Sequence, residues 1–309
     1  METFSHSPVM PAEVLAGLKV RPGARFLDGT VGMAGHAAAI LRESSPSGWL
    51  CGFDRDGVAV EQARARLAEF AGRFEIFRGN FAELGAVVGA GEYDGALLDL
   101  GVSSPQLDVA ERGFSFQQDG PLDMRMDNRE PLKAADLVNE SSADELARIF
   151  WELGEEPQSK RFARAIEQDR RQRPFQTTMQ LADLIERLAP RMGRKIHPAT
   201  RVFQALRMAV NDELGSLDRG LAAAWRALKP GGRLTVISFH SLEVRHVRAF
   251  GRERERDYTF PGAVDVPELR QPRKPELRWV SRKGITPGAA ELAENPRSRS
   301  AQLWVMEKI

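Results

Sequence analysis

The sequence predicts an α/β fold in which a mostly parallel sheet is interrupted by an inserted α-helical segment. Short apolar runs alternate with helical patterns up to residue 100, and the first of them passes through a glycine turn into a helix. The alternation stops near residue 108, leaves only helical patterns, and resumes after residue 208. The expected division is therefore 1–107, 108–208 and 209–309, the outer parts forming one domain around the insert.

A chain of 309 residues, 42% apolar and 28% charged, buries a sizeable core. The single cysteine, Cys51, sits in an expected strand; it excludes an internal disulfide and reads as a small buried hydrophobe. Residues 1–9 carry no basic flank followed by an apolar run, and no segment approaches the roughly 20 apolar residues that span a bilayer. A cytoplasmic protein with no membrane partner is expected. Five scattered histidines and one cysteine offer no ligand spacing, so no metal site is expected.

Pro11 to Leu18 reads as a helix, with Val14 and Leu18 on one face. Arg25 to Leu27 is a strand ending on Asp28; Gly29, Gly32 and Gly35 then punctuate a turn that opens into the helix formers Ala37 to Leu41. Glycine serves where the backbone turns tightly and lets a ligand approach, and the helix start offers unpaired N–H groups. Gly48 to Phe53 is a second buried strand, stopping at Asp54, 26 residues after Asp28. An acidic side chain there accepts hydrogen bonds from ribose hydroxyls, so the pair points to an adenosine-containing ligand.

Asp56 caps a helix through Leu67, and Phe74 to Phe77 form a third strand leading to Asn80 and Phe81. An amide and a ring at that place suit an adenine edge and face; a plain core role for Phe81 is equally open. The fourth strand, Tyr93 to Leu100, runs into Gly101–Gln106. Ligand crevices of open α/β sheets lie outside the carboxyl ends of the strands, which sets Asp99 beside the chemistry.

Within the insert, Ser142 to Glu145 is a capping box opening a helix to Trp151, Ser159 caps a basic helix through Arg171, and Thr178 begins a helix over Met179 to Leu188. Beyond it come a helix around Leu214 to Leu228, the turn Lys229 to Gly232, and a strand from Arg233 to Phe239 that leads into His240 to Glu243. Leu277 to Val280 and Leu303 to Met306 are expected as edge strands, with a loop at 261–275 between them.

Charge is unevenly spread. Lys160 to Arg207 holds 12 basic residues against 4 acidic ones, and Arg245 to Lys283 holds 11 against 6. Either alone fits a solvated face. Two such patches beside a cofactor loop point to nucleic acid, with Arg161, Arg164, Arg170, Arg171, Arg194 and Lys195 as phosphate contacts.

The loop pattern Asp-Gly-Thr-x-Gly-x-x-Gly, from Asp28 to Gly35, differs from the Gly-x-Gly-x-x-Gly of nicotinamide enzymes and resembles the S-adenosylmethionine loop of Rossmann-type methyltransferases. An acidic lead residue suits a cationic amino group. Other motifs extend the likeness: His6-x-Pro8-Val9, Asp99–Asp108 (DLGVSSPQLD), Arg112–Phe116 (RGFSF), Leu122–Asp127 (LDMRMD), Gly154–Glu156, Phe203–Arg207 (FQALR), Val210–Leu214, Ser238–Glu243 (SFHSLE) and Asn295–Ala301 (NPRSRSA). In this order, over nearly the whole chain, they resemble the RsmH (MraW) family of bacterial 16S rRNA cytosine-N4 methyltransferases.

The resemblance implies a Rossmann-like class I S-adenosyl-L-methionine-dependent methyltransferase with an inserted α-helical domain. The implied acceptor is the exocyclic N4 amine of a cytosine in the decoding region of 16S rRNA, in an assembled or late-assembling small ribosomal subunit. Monomer and homodimer are both compatible. The family's cofactor positions fall on Ala34, Gly35, His36, Asp54, Phe81, Asp99 and Gln106. Two positions depart from its pattern: Ala34 stands where glycine is usual, adding a methyl beside the cofactor, and Val244 replaces a commonly acidic residue.

Methyl transfer is a displacement at a sulfonium carbon, so alignment of the nucleophile carries much of the acceleration. The N4 lone pair is delocalised into the ring, and an acceptor drawing on an N–H would sharpen it. Asp99 or a backbone carbonyl in Gly101–Ser104 is placed for this; Asp99 as a cofactor contact alone is the other reading. His36 is expected to act through its backbone, and His240 as a hydrogen-bonded structural histidine rather than a base or phosphate contact. Two rival functions are a non-catalytic ribosome-assembly factor that keeps the pocket and a Rossmann methyltransferase with another substrate.

Overall fold

The computed structural model describes residues 8–193, 196–262 and 264–309; His6, Arg194 and Lys195 lie outside them. The chain divides into two compact units, one running to Gly101 and resuming over Leu214–Ile309, the other Val102–Glu213. In the first unit the alternation gives α1 (Pro11–Leu18), β1 (Arg25–Asp28), α2 (Gly35–Glu43), β2 (Trp49–Asp54), α3 (Gly57–Arg66), β3 (Phe74–Arg78), α4 (Leu84–Val87) and β4 (Tyr93–Asp99). The Asp56 carboxylate accepts from Val58 N–H at 3.0 Å and so starts α3. Cys51 is buried among apolar side chains, which pushes its thiol up to about 11 and leaves it inert.

The second unit holds α5 (Ser104–Asp108), α6 (Ala134–Glu140), α7 (Ala143–Glu152), α8 (Ser159–Arg170), α9 (Thr178–Leu188) and α10 (Thr200–Val210). It has its own core, centred on Phe150, Phe162, Ile166, Leu181, Ile185, Val202 and Leu206. The unit begins and ends at 102 and 213 instead of 108 and 208. Val102, Leu107, Ala209 and Val210 pack on this core, and Arg207 grips Glu213 with two hydrogen bonds of 2.7 and 2.8 Å.

Several quoted motifs are structural here. Arg112 donates to the carbonyls of Arg125 and Met126, while the Asn211 amide accepts from Met126 N–H and donates to the Met124 carbonyl. Gly154 lets α7 and α10 approach: a Cβ there would sit 2.5 Å from the Arg201 carbonyl oxygen. Ser142 caps α7 as expected. Ser159, in contrast, is the first residue of α8, and its backbone start is held by the Glu156 carboxylate, which accepts from Gln158 N–H at 2.9 Å.

The chain then continues with α11 (Glu213–Ala227), β5 (Leu228–Ser238), α12 (Ser241–Glu255), the short strands β6 (Tyr258–Thr259) and β7 (Gln271–Pro272), β8 (Leu277–Ile285), α13 (Ala289–Glu294) and β9 (Gln302–Lys308). The described residues form a seven-stranded sheet in the order β3-β2-β1-β4-β5-β9-β8, parallel from β3 to β5, with β9 antiparallel to both neighbours. Leu228 pairs with Tyr93 and Arg233 with Gly95, so Lys229–Gly232 loop out of β5. Leu303 to Met306 is an interior strand, not an edge: four consecutive buried apolar side chains suit a strand covered on both faces. The 261–275 stretch contributes β7, which pairs with β6 in a separate ribbon. No helix among the described residues is long and apolar enough to cross a membrane.

The order reverses direction at β1 and β4, the place where open α/β sheets bind ligands.

Candidate active site

The reversal brings the last residues of β1, β2 and β4 to one sheet edge, and all three are aspartates: Asp28, Asp54 and Asp99. Asp28 is fully buried. Its Oδ1 accepts from Thr30 N–H at 3.1 Å; its Oδ2 has no hydrogen-bond partner among the described residues. Burial pushes its carboxyl up to about 7, Asp99 and Asp54 push the same way, and His36 and the Thr30 amide oppose them.

Asp54 holds the glycine turn. Its Oδ2 accepts from Gly32 N–H and its Oδ1 from Asp56 N–H, both at 2.8 Å, and burial raises its carboxyl to about 6. A carboxylate has about four lone-pair directions, so each oxygen keeps one for a ligand hydroxyl. Asp99 is fixed by its backbone N–H, which donates to Thr30 Oγ1 at 2.7 Å. Its Oδ2 lies 3.6 Å from His36 Nε2, while Asp99 Oδ1 and His36 Nε2 are buried without a hydrogen-bond partner among the described residues. His36 therefore reaches the site with its ring, not only its backbone as expected from sequence.

Phe81 packs its ring on α11 at Gly220, where a Cβ would fall 2.1 Å from Phe81 Cδ2, and it adjoins Gly29 at the start of the turn. It is partly buried against the sheet core. Asn80 is engaged within the chain: its Oδ1 accepts from Ala82 N–H and its Nδ2 donates to Ser216 Oγ at 2.9 Å. Gly35 packs against Pro8, and Ala34 precedes α2 in the left-handed region at φ 58°. That conformation costs an L residue about 1–2 kcal/mol. The fully buried methyl returns about 0.8 kcal/mol, and a less flexible unfolded chain about 0.4–1 kcal/mol, so alanine stands near break-even with glycine. The methyl belongs to the buried apolar cluster that also holds residues of α1 and α2.

The match to known proteins decides the family. The model for the MraW methylase family matches residues 3–309. The chain belongs to the MraW methylase family. The Geobacter sulfurreducens protein called ribosomal RNA small subunit methyltransferase H is 53% identical over 99% of this chain and 100% of its own length. The Syntrophotalea carbinolica protein of the same name is 49% identical over 100% of this chain and 99% of its own. Among solved structures, a SAM-dependent O-methyltransferase from Thermotoga maritima covers 100% of this chain and 69% of its own at 12% identity and a TM-score of 0.43.

As an MraW methylase the chain has a Rossmann-like fold and uses S-adenosyl-L-methionine. The donor set fits that group. Partnerless buried oxygens of Asp28 and Asp99 suit its cationic centres, and Asp54 its ribose. Of the sequence-predicted residues, Ala34, Gly35, His36, Asp54, Phe81 and Asp99 stand in the first unit. Gln106 stands in the second, where its Oε1 accepts from Ser103 N–H at 3.0 Å in the capping box of α5. Asp28, which the sequence offers as an acidic lead residue suited to a cationic amino group, is fully buried and keeps one oxygen without a hydrogen-bond partner among the described residues.

His240 is engaged locally through Nδ1, while its Nε2 is buried without a hydrogen-bond partner among the described residues. It caps α12, its Nδ1 accepting from Glu243 N–H at 3.4 Å, while Glu243 Oε2 accepts from the N–H groups of Phe239 and His240. Val244 is apolar for a local reason: it packs on the sheet core.

In the second unit, Arg161 and Arg164 on α8 and Arg171 just past its end are exposed, whereas Phe162, Ala163 and Ile166 of the helix are buried. Arg170 is half-buried, and its Nη1 donates to the Val138 carbonyl at 2.7 Å, which ties α8 to α6.

Proposed function

We propose that this chain transfers a methyl group from S-adenosyl-L-methionine to the N4 amine of a cytosine in the decoding region of 16S rRNA, in the cytoplasm, on an assembled or late-assembling small subunit. The observation that carries this reading is the set of buried, partnerless acceptors at the carboxyl ends of β1 and β4 in a chain that is an MraW methylase throughout its length. When bound, the donor supplies an electrophilic methyl on a sulfonium. Asp54 receives the ribose hydroxyls, Phe81 and the glycine turn seat the adenosine, and Asp28 faces the cationic amino group.

Asp99 stands at the mouth of the crevice, its side chain 24% exposed, and accepts an N–H of the target amine. That bond draws electron density toward the nucleophilic nitrogen and gives the departing proton a place to go. Such a base reaches a crevice only when unstacked or single-stranded. Arg161, Arg164 and Arg171 hold the RNA backbone through phosphates.

The deciding experiment is transfer of labelled methyl groups to small subunits from a strain lacking the gene, followed by nucleoside analysis, with Asp99→Ala as control. Label in an N4-methylcytidine derivative, lost in the variant, is the expected result. Donor binding without RNA labelling would favour a non-catalytic assembly role.

A further inference from the structure

Three buried polar atoms converge here from three different elements: Asp28 Oδ2 at the end of β1, His36 Nε2 in the first turn of α2, and Asp99 Oδ1 at the end of β4. None has a hydrogen-bond partner among the described residues, and Asp99 Oδ2 stands 3.6 Å from His36 Nε2. Groups buried in this way interact strongly with any charge that appears or vanishes beside them. Methyl transfer makes one vanish. The amine lone pair forms the new N–C bond, the C–S bonding pair goes to sulfur, and the positive charge leaves the sulfonium and reappears as a proton on the attacking nitrogen.

Were that proton lost directly to solvent, the crevice would keep Asp28, Asp54 and Asp99 facing a neutral sulfur, one unit more negative than before the reaction. Resting on the reading of this crevice as the methyl-donor site, we infer that Asp28, His36 and Asp99 together take up the proton that methyl transfer liberates, so that the net charge of the crevice is unchanged by the reaction. The proton leaves N4 for Asp99, the member open to the mouth, and is shared inward with His36 and Asp28. Bond and charge balance close without a further reactant.

The charged surroundings favour this sharing. Asp54, with Arg55 and Asp56 beside it, faces Asp28 from the end of β2, Asp99 from β4 and His36 from α2. Burial together with the two neighbouring carboxylates raises the proton affinity of Asp28 into the neutral range. By linkage, a ligand with a sulfonium charge drives protons out of the cluster, and its demethylated counterpart does so less.

Calorimetric titration of the full chain with S-adenosylmethionine and with S-adenosylhomocysteine tests this. Performed at pH 7 in buffers of different ionisation heat, it counts the protons exchanged on binding. With Asp28 half-protonated near pH 7 and the amino group common to both ligands, the sulfonium ligand is expected to release more protons than S-adenosylhomocysteine, by at most roughly half a proton, and Asp28→Asn to shrink that difference. Equal proton counts for two bound ligands overturn the inference alone. Failure of either ligand to bind removes the donor-site reading, and this inference with it.

Discussion

Replacing Asp28 with asparagine keeps the shape of the side chain and removes a carboxyl that the fold protonates. In the folded chain this carboxyl titrates at about 7, and in the unfolded chain near its ordinary value of 3.8. Between these values the folded state binds the extra proton, so Asp28 makes stability fall as pH rises, and the loss levels off above the folded value. At about 1.36 kcal/mol per unit, Asp28 alone should withdraw about 2 kcal/mol between pH 5.5 and pH 8. Asp28→Asn lacks that withdrawal. Denaturant unfolding without ligand, at both pH values, should show the variant gaining about 2 kcal/mol on the parent from pH 5.5 to pH 8. The comparison between pH values cancels whatever the buried amide costs at either. Asp54, raised to about 6, contributes in the same direction in both proteins and also cancels. A pH-independent difference between variant and parent would refute the burial-driven protonation of Asp28.

Gly220→Ala puts a methyl 2.1 Å from the Phe81 ring. Overpacking of about 1–3 kcal/mol is partly offset by about 1 kcal/mol of helix propensity, so stability should change by no more than about 2 kcal/mol while the displaced ring weakens donor affinity about tenfold; unchanged affinity in a binding titration would remove Phe81 from the donor site. The triple variant Arg161→Ala, Arg164→Ala, Arg171→Ala should bind ribosomal RNA more weakly and lower the slope of log affinity against log salt by about 2. An unaltered slope would move the RNA contact off α8.

Much of the site could be read because it rests on local chemistry. Asp28, Asp54 and Asp99 each end an apolar run, and a strand end is a property of its own few residues. The caps Asp56 and Ser142 were legible for the same reason. What escaped depends on partners far along the chain. Asn80 looked available to a ligand, but its amide is held by Ser216, 136 residues later. Arg170 looked like its exposed neighbours on α8, yet its place in the helix turns it to the Val138 carbonyl. The ring of His36 comes within 3.6 Å of the Asp99 carboxylate, 63 residues later, and Ala34 before it takes a left-handed conformation that its residue type does not announce. Strand order was likewise hidden: nothing in Leu303 to Met306 says which neighbours it will have, and the expected edge strand lies between β5 and β8.

The position of β9 between β5 and β8 bears on how the chain is made. The helical unit has its core residues once synthesis passes Val210, before any of β5 is made, and domains generally fold as units during synthesis. The sheet must wait: β4 is made early, its partner β5 more than a hundred residues later, and the strand that joins β5 to β8 last of all. Until Gln302–Lys308 emerge, β5 and β8 each present an unpaired edge of the kind that recruits other chains. A chain stopped short of these seven residues would thus lose the seam that closes the sheet, and its fate would be aggregation or proteolysis.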